Sequence, residues 1–306
     1  MASNDRMTAI QYDRVGGPEV LEQVEVPIPV PEAGQVRVVI RAAGVNPADW
    51  KMRAGLMPGP GAFPRRAGFE IAGVVDAAGP DAPFRPGDEV LGWSLGGGYA
   101  DYALGGPLVG KPAGLSFPDA AAIPVAANTA GGGLAELDIK AGETLLVNGA
   151  SGAVGSFVVQ LARSFGATVI GTASAANQEL VRSLGAAPTT YGSGVADRVR
   201  ALAPHGIDAV YDCAGHGFLD AAIELRGGTE RVITIADGAA AEKGVAFFSR
   251  QGKDGLDVVE KVARLVAAGE FRLPGPARTY PLAAAAAAQT ESESGHGLGK
   301  IVLIPS

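Results

Sequence analysis

The eight residues Asn148-Gly149-Ala150-Ser151-Gly152-Ala153-Val154-Gly155 carry the most chemically specific pattern in the chain. They follow an apolar strand-like run, Thr144 to Val147, and open a stretch, Ala153 to Phe165, with helical spacing of apolar residues. Glycines at 149, 152 and 155 suit a tight turn, close approach of backbone to a pyrophosphate, and close packing of the following helix. The helix N-terminus adds unpaired N–H groups and the positive end of its dipole. The spacing departs from the common G-x-G-x-x-G but meets the same needs, so a dinucleotide site is expected over Gly149, Ala150, Ser151, Gly152, Ala153, Val154 and Gly155. A second strand-like run, Thr168 to Gly171, ends at Thr172-Ala173-Ser174. An acidic side chain there would hold a ribose 2'-hydroxyl and repel a 2'-phosphate. None is present, and Ser174 can donate to a phosphate, so NADP(H) is the expected cofactor, with Thr172 and Ser174 among its contacts. Gln178 stands where a cation would have strengthened that preference, and Arg182 reads as a surface charge.

Other chemistries are excluded by scarcity. Cys213 is the single cysteine, so no internal disulfide can form, and with three histidines a cysteine-rich zinc module is impossible. A formal charge of -7, without a long basic run, argues against nucleic acid as a partner. No stretch has the length and apolarity of a membrane span, and the polar start, Met1 to Arg6, does not resemble a signal peptide. A soluble cytoplasmic protein is expected.

The elements that must position this chemistry fall into two textures. Up to about residue 110 the chain reads as short strands punctuated by Gly and Pro: Met7 to Tyr12, Leu21 to Val26, Gln35 to Ala42, Ile71 to Ala78, Glu89 to Trp93 and Tyr99 to Leu104. The stretch Ala54 to Pro64, AGLMPGPGAFP, is a loop expected at a rim or cleft. From Asp119 helix and strand alternate, which implies a parallel sheet covered by helices, with further strands at Ala209 to Asp212 and Arg231 to Ile235 and a helix at Leu256 to Ala268. The alanine run Ala283 to Ala288 reads as a helix, and Lys300 to Ile304 as a last strand able to rejoin the N-terminal unit.

Together the motifs resemble the medium-chain dehydrogenase/reductase family, in its zinc-free quinone oxidoreductase-like branch. The resemblance runs through GGPEVLE (Gly16 to Glu22), AAGVNPADWKMRAG (Ala42 to Gly55), GFEIAGVV (Gly68 to Val75), PGDEV (Pro86 to Val90), GGYADY (Gly97 to Tyr102), NGASGAVG (Asn148 to Gly155), VRSLGA (Val181 to Ala186) and SGHGLGKIVL (Ser294 to Leu303). It implies an α/β plus β fold: a GroES-like, partly open β barrel from residues 1–118 and 270–306, with a Rossmann domain, 119–269, inserted between. A homodimer joined edge strand to edge strand is a further implication. Zinc-using relatives place a cysteine at Asn46 and a histidine at Phe69; neither is here, and His205, His216 and His296 do not replace them by motif. No metal is expected, which moves the chemistry from alcohols toward acceptors that spread incoming charge.

By the same resemblance Asn46 and Lys51 are the candidate catalytic donors to a developing oxyanion or enolate, Asn46 also facing the nicotinamide region. Relatives that carry a tyrosine at the position of Lys51 differ from this chain. Thr129 matches a threonine that contacts cofactor phosphate, although the aromatic residue that often follows is replaced by Gly131-Gly132-Gly133, which puts the local helix in question. Cys213 and Ala214 match a strand end along the adenosine and ribose side, and Lys300 can reach cofactor or a neighbouring carboxylate. Tyr99 is expected to pack. The function implied is NADPH-dependent reduction of a quinone or an α,β-unsaturated carbonyl by direct hydride transfer. The alternatives are an enoyl-thioester reductase and a non-catalytic NADP(H)-binding protein.

Overall fold

A computed structural model describes residues 5–249, 255–295 and 297–305. The first elements in chain order are β1 (Arg6–Tyr12), β2 (Glu22–Pro27), β3 (Val36–Val45), α1 (Pro47–Arg53), β4 (Arg65–Arg66), β5 (Glu70–Ala78), β6 (Glu89–Leu95) and β7 (Tyr102–Gly110). Next come α2 (Phe117–Ala120), α3 (Pro124–Glu136), β8 (Thr144–Asn148), α4 (Ala153–Ser164), β9 (Thr168–Ala173), α5 (Gln178–Ser183), β10 (Ala187–Thr190) and α6 (Val195–Leu202). The last are β11 (Ala209–Asp212), α7 (Leu219–Arg226), β12 (Val232–Thr234), β13 (Ala246–Phe247), α8 (Leu256–Ala267), β14 (Arg278–Pro281), α9 (Ala285–Ser294) and β15 (Ile301–Ile304). These fall into two units, one within Met1–Val125, Val259–Ala268 and Gly275–Ser306, the other within Ala126–Val258 and Gly269–Pro274.

The first unit is built on β3, whose alternating residues bury Val36, Val38 and Ile40. One edge of β3 pairs with β5 along its length. The other edge is divided: Arg37 to Val39 pair with β7, and Ala43 to Val45 pair with β15. Register shifts between Arg37 and Val38 and between Ile40 and Ala42 accompany this change of partner, as bulges do where a sheet must bend. The six strands run β14-β15-β3-β5-β6-β7, and the β3–β7 pairing makes the sheet a partly open barrel. The return of the last strand to the N-terminal unit, expected from the sequence, is the antiparallel pairing of β15 with β3. Inside lies one apolar cluster that includes Val38, Ile71, Val75, Val90, Ala103 and Leu303.

The second unit holds a six-stranded parallel sheet in the order β10-β9-β8-β11-β12-β13. Taken from β8 as the first strand, the order is 3-2-1-4-5-6, a doubly wound sheet whose direction of winding reverses between β8 and β11. Leu145, Leu146 and Val147 of β8 and all of β11 are buried, as strands covered on both faces require. Gln160, on α4, binds the returning segment: its Nε2 donates to the Arg272 carbonyl (3.0 Å) and its Oε1 accepts the Arg272 N–H (2.7 Å).

The three consecutive glycines do not interrupt α3, which continues through Glu136. They make room: a Cβ on Gly131 would lie 2.7 Å from Val258, and one on Gly132 2.7 Å from Phe248. At Gly133 a Cβ would stand 2.3 Å from the Tyr211 hydroxyl and 2.4 Å from its ring. That hydroxyl donates to the Thr129 carbonyl of the same helix (2.7 Å). Glycine is therefore tolerated in mid-helix because side chains press directly on its backbone.

Replacing glycine by alanine inside a helix ordinarily stabilises by about 0.5–1 kcal/mol. For Gly133→Ala the sign should reverse, with overpacking costing roughly 1–3 kcal/mol in urea unfolding. A midpoint equal to or above that of the parent chain would show that Tyr211 does not constrain the helix.

Candidate functional site

In the second unit the glycine turn behaves as a cradle. Gly149 has φ +80°, a left-handed conformation that favours glycine, and Ala214 lies where its Cβ would point, at 2.8 Å. A Cβ on Gly155 would lie 2.2 Å from the Gly149 carbonyl oxygen, so the helix can start this close to the turn only with glycine there. Gly152 is different. It is exposed, it has extended backbone, and an added Cβ would meet only the Gly149 oxygen at 3.4 Å. Nothing in the protein needs glycine at 152, whereas a ligand lying on the turn would. Ala153 and Val154 begin α4, whose first turn carries no acidic residue, leaving its N–H groups and dipole to an anion. Ser151 is half-buried and its hydroxyl accepts from Asn177 (3.3 Å), while Ala150 is fully buried and its N–H donates to the Thr172 carbonyl. The turn thus fits a dinucleotide pyrophosphate.

The other residues expected at this site are placed as follows. Ser174 lies half-buried at the end of β9. Gln178 is spent on backbone, its Nε2 donating to the carbonyls of Ala173, Ser174 and Thr189, and Arg182 pairs with Glu179 at the surface. Cys213 is half-buried and its N–H donates to the Asn148 carbonyl (3.0 Å); burial pushes its thiol up. Ala214 follows in the same loop. Thr129 is half-buried on α3. Thr172 needs correction as a contact residue. It has no exposed surface, and its hydroxyl donates to Asn148 Oδ1 (2.6 Å) and accepts the Gly149 N–H (3.1 Å), so it acts on the turn from beneath.

Sequence reasoning missed what Thr172 belongs to. Asn148 Nδ2 donates to Asp212 Oδ1 (2.8 Å), and Thr234 donates to Asp212 Oδ2 (2.7 Å). Asp212 and Thr234 also hold the loops behind their strands, accepting the N–H groups of Ala214, Gly215, Ala236 and Asp237 at 2.8–3.1 Å. The readable signal was a polar residue at the end of each apolar strand: TLLVN, AVYD and VIT.

In the first unit Asn46 precedes α1 as its N-cap, followed by Pro47. Its Nδ2 donates to Glu70 Oε2 (2.9 Å), and its Oδ1 accepts from Lys300 Nζ (2.6 Å), which also donates to Glu70 Oε2 (2.7 Å). All three residues are buried. The structure therefore groups Asn46 with Lys300 and Glu70. Lys51 is set apart on α1, half-buried, its Nζ 5.6 Å from the centre of the Trp50 ring. Glu70, which sequence reasoning did not single out, also accepts the Val125 N–H at the start of α3 (2.7 Å). Gly44 admits it: a Cβ there would lie 2.2 Å from the Glu70 carboxylate.

Beside this group Asp49 accepts the Asn46 N–H (2.8 Å) and the Tyr99 hydroxyl (2.9 Å) through Oδ2. Tyr99 is packed in the core as expected, but by its hydroxyl it also completes the carboxylate's bonding. Burial pushes Asp49 up to about 7, against the opposing pull of those donors and of Lys300. The Ala54 to Pro64 loop borders a surface cavity of about 410 Å³ walled by Val15, Met52, Met57, Pro58, Phe63 and Arg65. His205 and His216 lie in loops and turns, and His296 lies outside the described residues. Among the described residues no three His, Cys, Asp or Glu side chains converge as metal ligands.

These two units define a dehydrogenase class in which a barrel domain accompanies a dinucleotide-binding sheet. Residues 32–137 match the alcohol dehydrogenase GroES-like domain, and residues 153–265 match the zinc-binding dehydrogenase domain. The chain is 32% identical to pig (Sus scrofa) quinone oxidoreductase over 97% of its own length and 98% of that protein's. It is 35% identical, over 94% of its length, to the spectinabilin polyketide synthase system protein NorB of Streptomyces orinoci, of which it spans 14%. The crystal structure of Escherichia coli quinone oxidoreductase complexed with NADPH superimposes with a TM-score of 0.86 at 26% identity, covering 97% of this chain and all of that one. The chain belongs to the medium-chain dehydrogenase/reductase family and is an oxidoreductase of its quinone oxidoreductase-like kind.

The buried Asp49 carboxyl sets a pH dependence of stability. With a folded value near 7 and an unfolded one near 3.8, the folded chain retains a proton that the unfolded chain releases. Stability from this group is therefore greatest below about pH 4, falls as pH rises through pH 4–7, and is level above. Asp49→Asn should remove that slope: the parent chain should lose about 2 kcal/mol more than the variant between pH 5.5 and pH 8 in urea unfolding. Equal losses in both would contradict it.

Proposed function

We propose that the chain is an NADPH-dependent oxidoreductase that reduces quinones or similarly activated α,β-unsaturated carbonyl compounds by direct hydride transfer without zinc. The observation that carries this reading is the turn from Gly149 to Gly155, where Gly152 leaves open the space a pyrophosphate would take. The end of β9 offers Ser174 and no carboxylate, which favours the 2'-phosphate form of the cofactor. When bound, NADPH would supply the hydride. Gly149, Ser151, Ala153 and Val154 would hold it through the turn and the first N–H groups of α4, with Thr129, Cys213, Ala214 and Ser174 along its length.

In the first unit Asn46 is restrained at both ends of its amide, by Lys300 and by Glu70. An amide nitrogen has two hydrogens, so one N–H remains as the donor Asn46 can offer to an oxyanion or enolate. Lys51 is the second candidate donor. Asn46 and Phe69 supply no thiolate or imidazole where zinc-using relatives place their ligands, which supports an acceptor that needs no Lewis acid. The short edge strand β13, with both residues exposed, supports a dimer joined through that edge. Among the described residues no helix is long and apolar enough to cross a membrane.

A second reading, reduction of a carrier-bound enoyl thioester, is favoured by the similarity to a polyketide synthase system protein. Steady-state NADPH oxidation over a panel of quinones, enones and enoyl thioesters separates the two. Quinone or enone turnover should dominate; saturable thioester turnover far above it would transfer the assignment, and tight binding with no turnover by any member would sink both. Run with NADH as well, the same assay tests Ser174→Asp, which should raise KM for NADPH at least about tenfold while changing KM for NADH little. Equal changes would remove the basis for preferring NADPH.

A further inference from the structure

We infer that Asp212 is a positioning residue for the dinucleotide site, the hub of a buried hydrogen-bond chain that holds the loops behind neighbouring strands in their binding shape. The inference rests on the reading that NADPH binds at the Gly149 turn. The chain takes one side chain from each of four adjacent strands in spatial order: Thr172 on β9, Asn148 on β8, Asp212 on β11 and Thr234 on β12. Register puts them at one level. Asp212 is the direct partner of Asn148 on one side and of Thr234 on the other, and Val147 pairs with Gly171, which sets Asn148 level with Thr172. None of the four is more than 4% exposed.

Every bond in the chain has a fixed direction. A carboxylate only accepts, so Asn148 must turn its Nδ2 toward Asp212 and its Oδ1 toward Thr172. The Thr172 hydroxyl therefore donates to Asn148 and is left to accept from Gly149 N–H, and Thr234 likewise donates to Asp212 and accepts from Ala236 and Asp237. Five loop N–H groups, those of Gly149, Ala214, Gly215, Ala236 and Asp237, are satisfied this way inside the protein. The first N–H groups of α4 are not bound by the chain and stay available at the turn. A buried carboxylate is a poor device for stability, since apolar residues of like volume often hold strands as well. Apolar residues cannot anchor three loops by their N–H groups.

The test uses the full chain titrated with NADPH by fluorescence, together with saturating-cofactor turnover and thermal unfolding. Thr172→Val, nearly isosteric, and Asp212→Asn should each raise the NADPH Kd about tenfold or more, the effect of losing one or more buried hydrogen bonds, with kcat at saturating NADPH within about twofold of the parent. Thr172→Ser, which keeps the hydroxyl, should restore parent-like affinity. Leu145→Ala, a truncation in the buried centre of β8, should lower the unfolding midpoint without changing Kd and so separates positioning from loss of stability. Parent-like Kd in Thr172→Val or in Asp212→Asn, or a Kd loss in Leu145→Ala as large as in those variants, would overturn the inference while leaving the proposed function intact. A parent chain that does not bind NADPH would overturn the proposed function and this inference with it.

Discussion

A carboxylate taken out of water must be surrounded by donors, and much of this chain is arranged to supply them. Glu70 and Asp212 have no exposed surface, and each stands where several chain segments end or begin. Glu70 gathers the N-cap of α1 through Asn46, the approach to β15 through Lys300 and the first turn of α3 through Val125. Asp212 gathers β8, β12 and its own following loop. In both places the buried carboxyl group fixes chain ends in position, because several donors from different segments converge on its two oxygens.

Glycine is the counterpart of that constraint. Gly44 is bare so that Glu70 can lie against the backbone, Gly133 so that Tyr211 can, and Gly155 so that α4 can begin beside its own turn. Gly152 alone in the dinucleotide turn has open space around its missing side chain together with ordinary extended backbone. That difference separates glycines that the packing of the turn requires from one that the protein's own atoms leave unconstrained.

Much of the fold could be read from residue pattern. The apolar run Leu145 to Val147, the helix after it and the strand ending at Ala173 arrive in βαβ order, and β11 occupies the span Ala209 to Asp212 read from the sequence. The two-residue β13 and the short β10 offered too few residues for a period, and only their neighbours make them strands. Gly131 to Gly133 looked like a break in a helix because propensity is a local quantity; packing by Val258, Phe248 and Tyr211 outweighs it. At the candidate site, the resemblance offered Asn46 and Lys51 as two donors, yet the lysine that bonds Asn46 is Lys300, 254 positions away.

Taken alone, the sequence determined the family, and with it an oxidoreductase that uses a nicotinamide cofactor. The glycine turn, the absence of a carboxylate at Thr172 to Ser174, and Asn46 and Phe69 at two positions are properties of residue type at a given place, and residue type survives whatever the chain does next. The tertiary structure decided which of those residues touch and which only support. Thr172 lies under the turn, Lys300 belongs to Asn46 and Glu70, and Asp212 bonds its own following loop and the side chains of Asn148 and Thr234, because β-sheet register and strand order bring together side chains that sequence separates by 22 to 254 positions. Hydrogen bonds are decided at about 3 Å, a distance that only the folded chain defines.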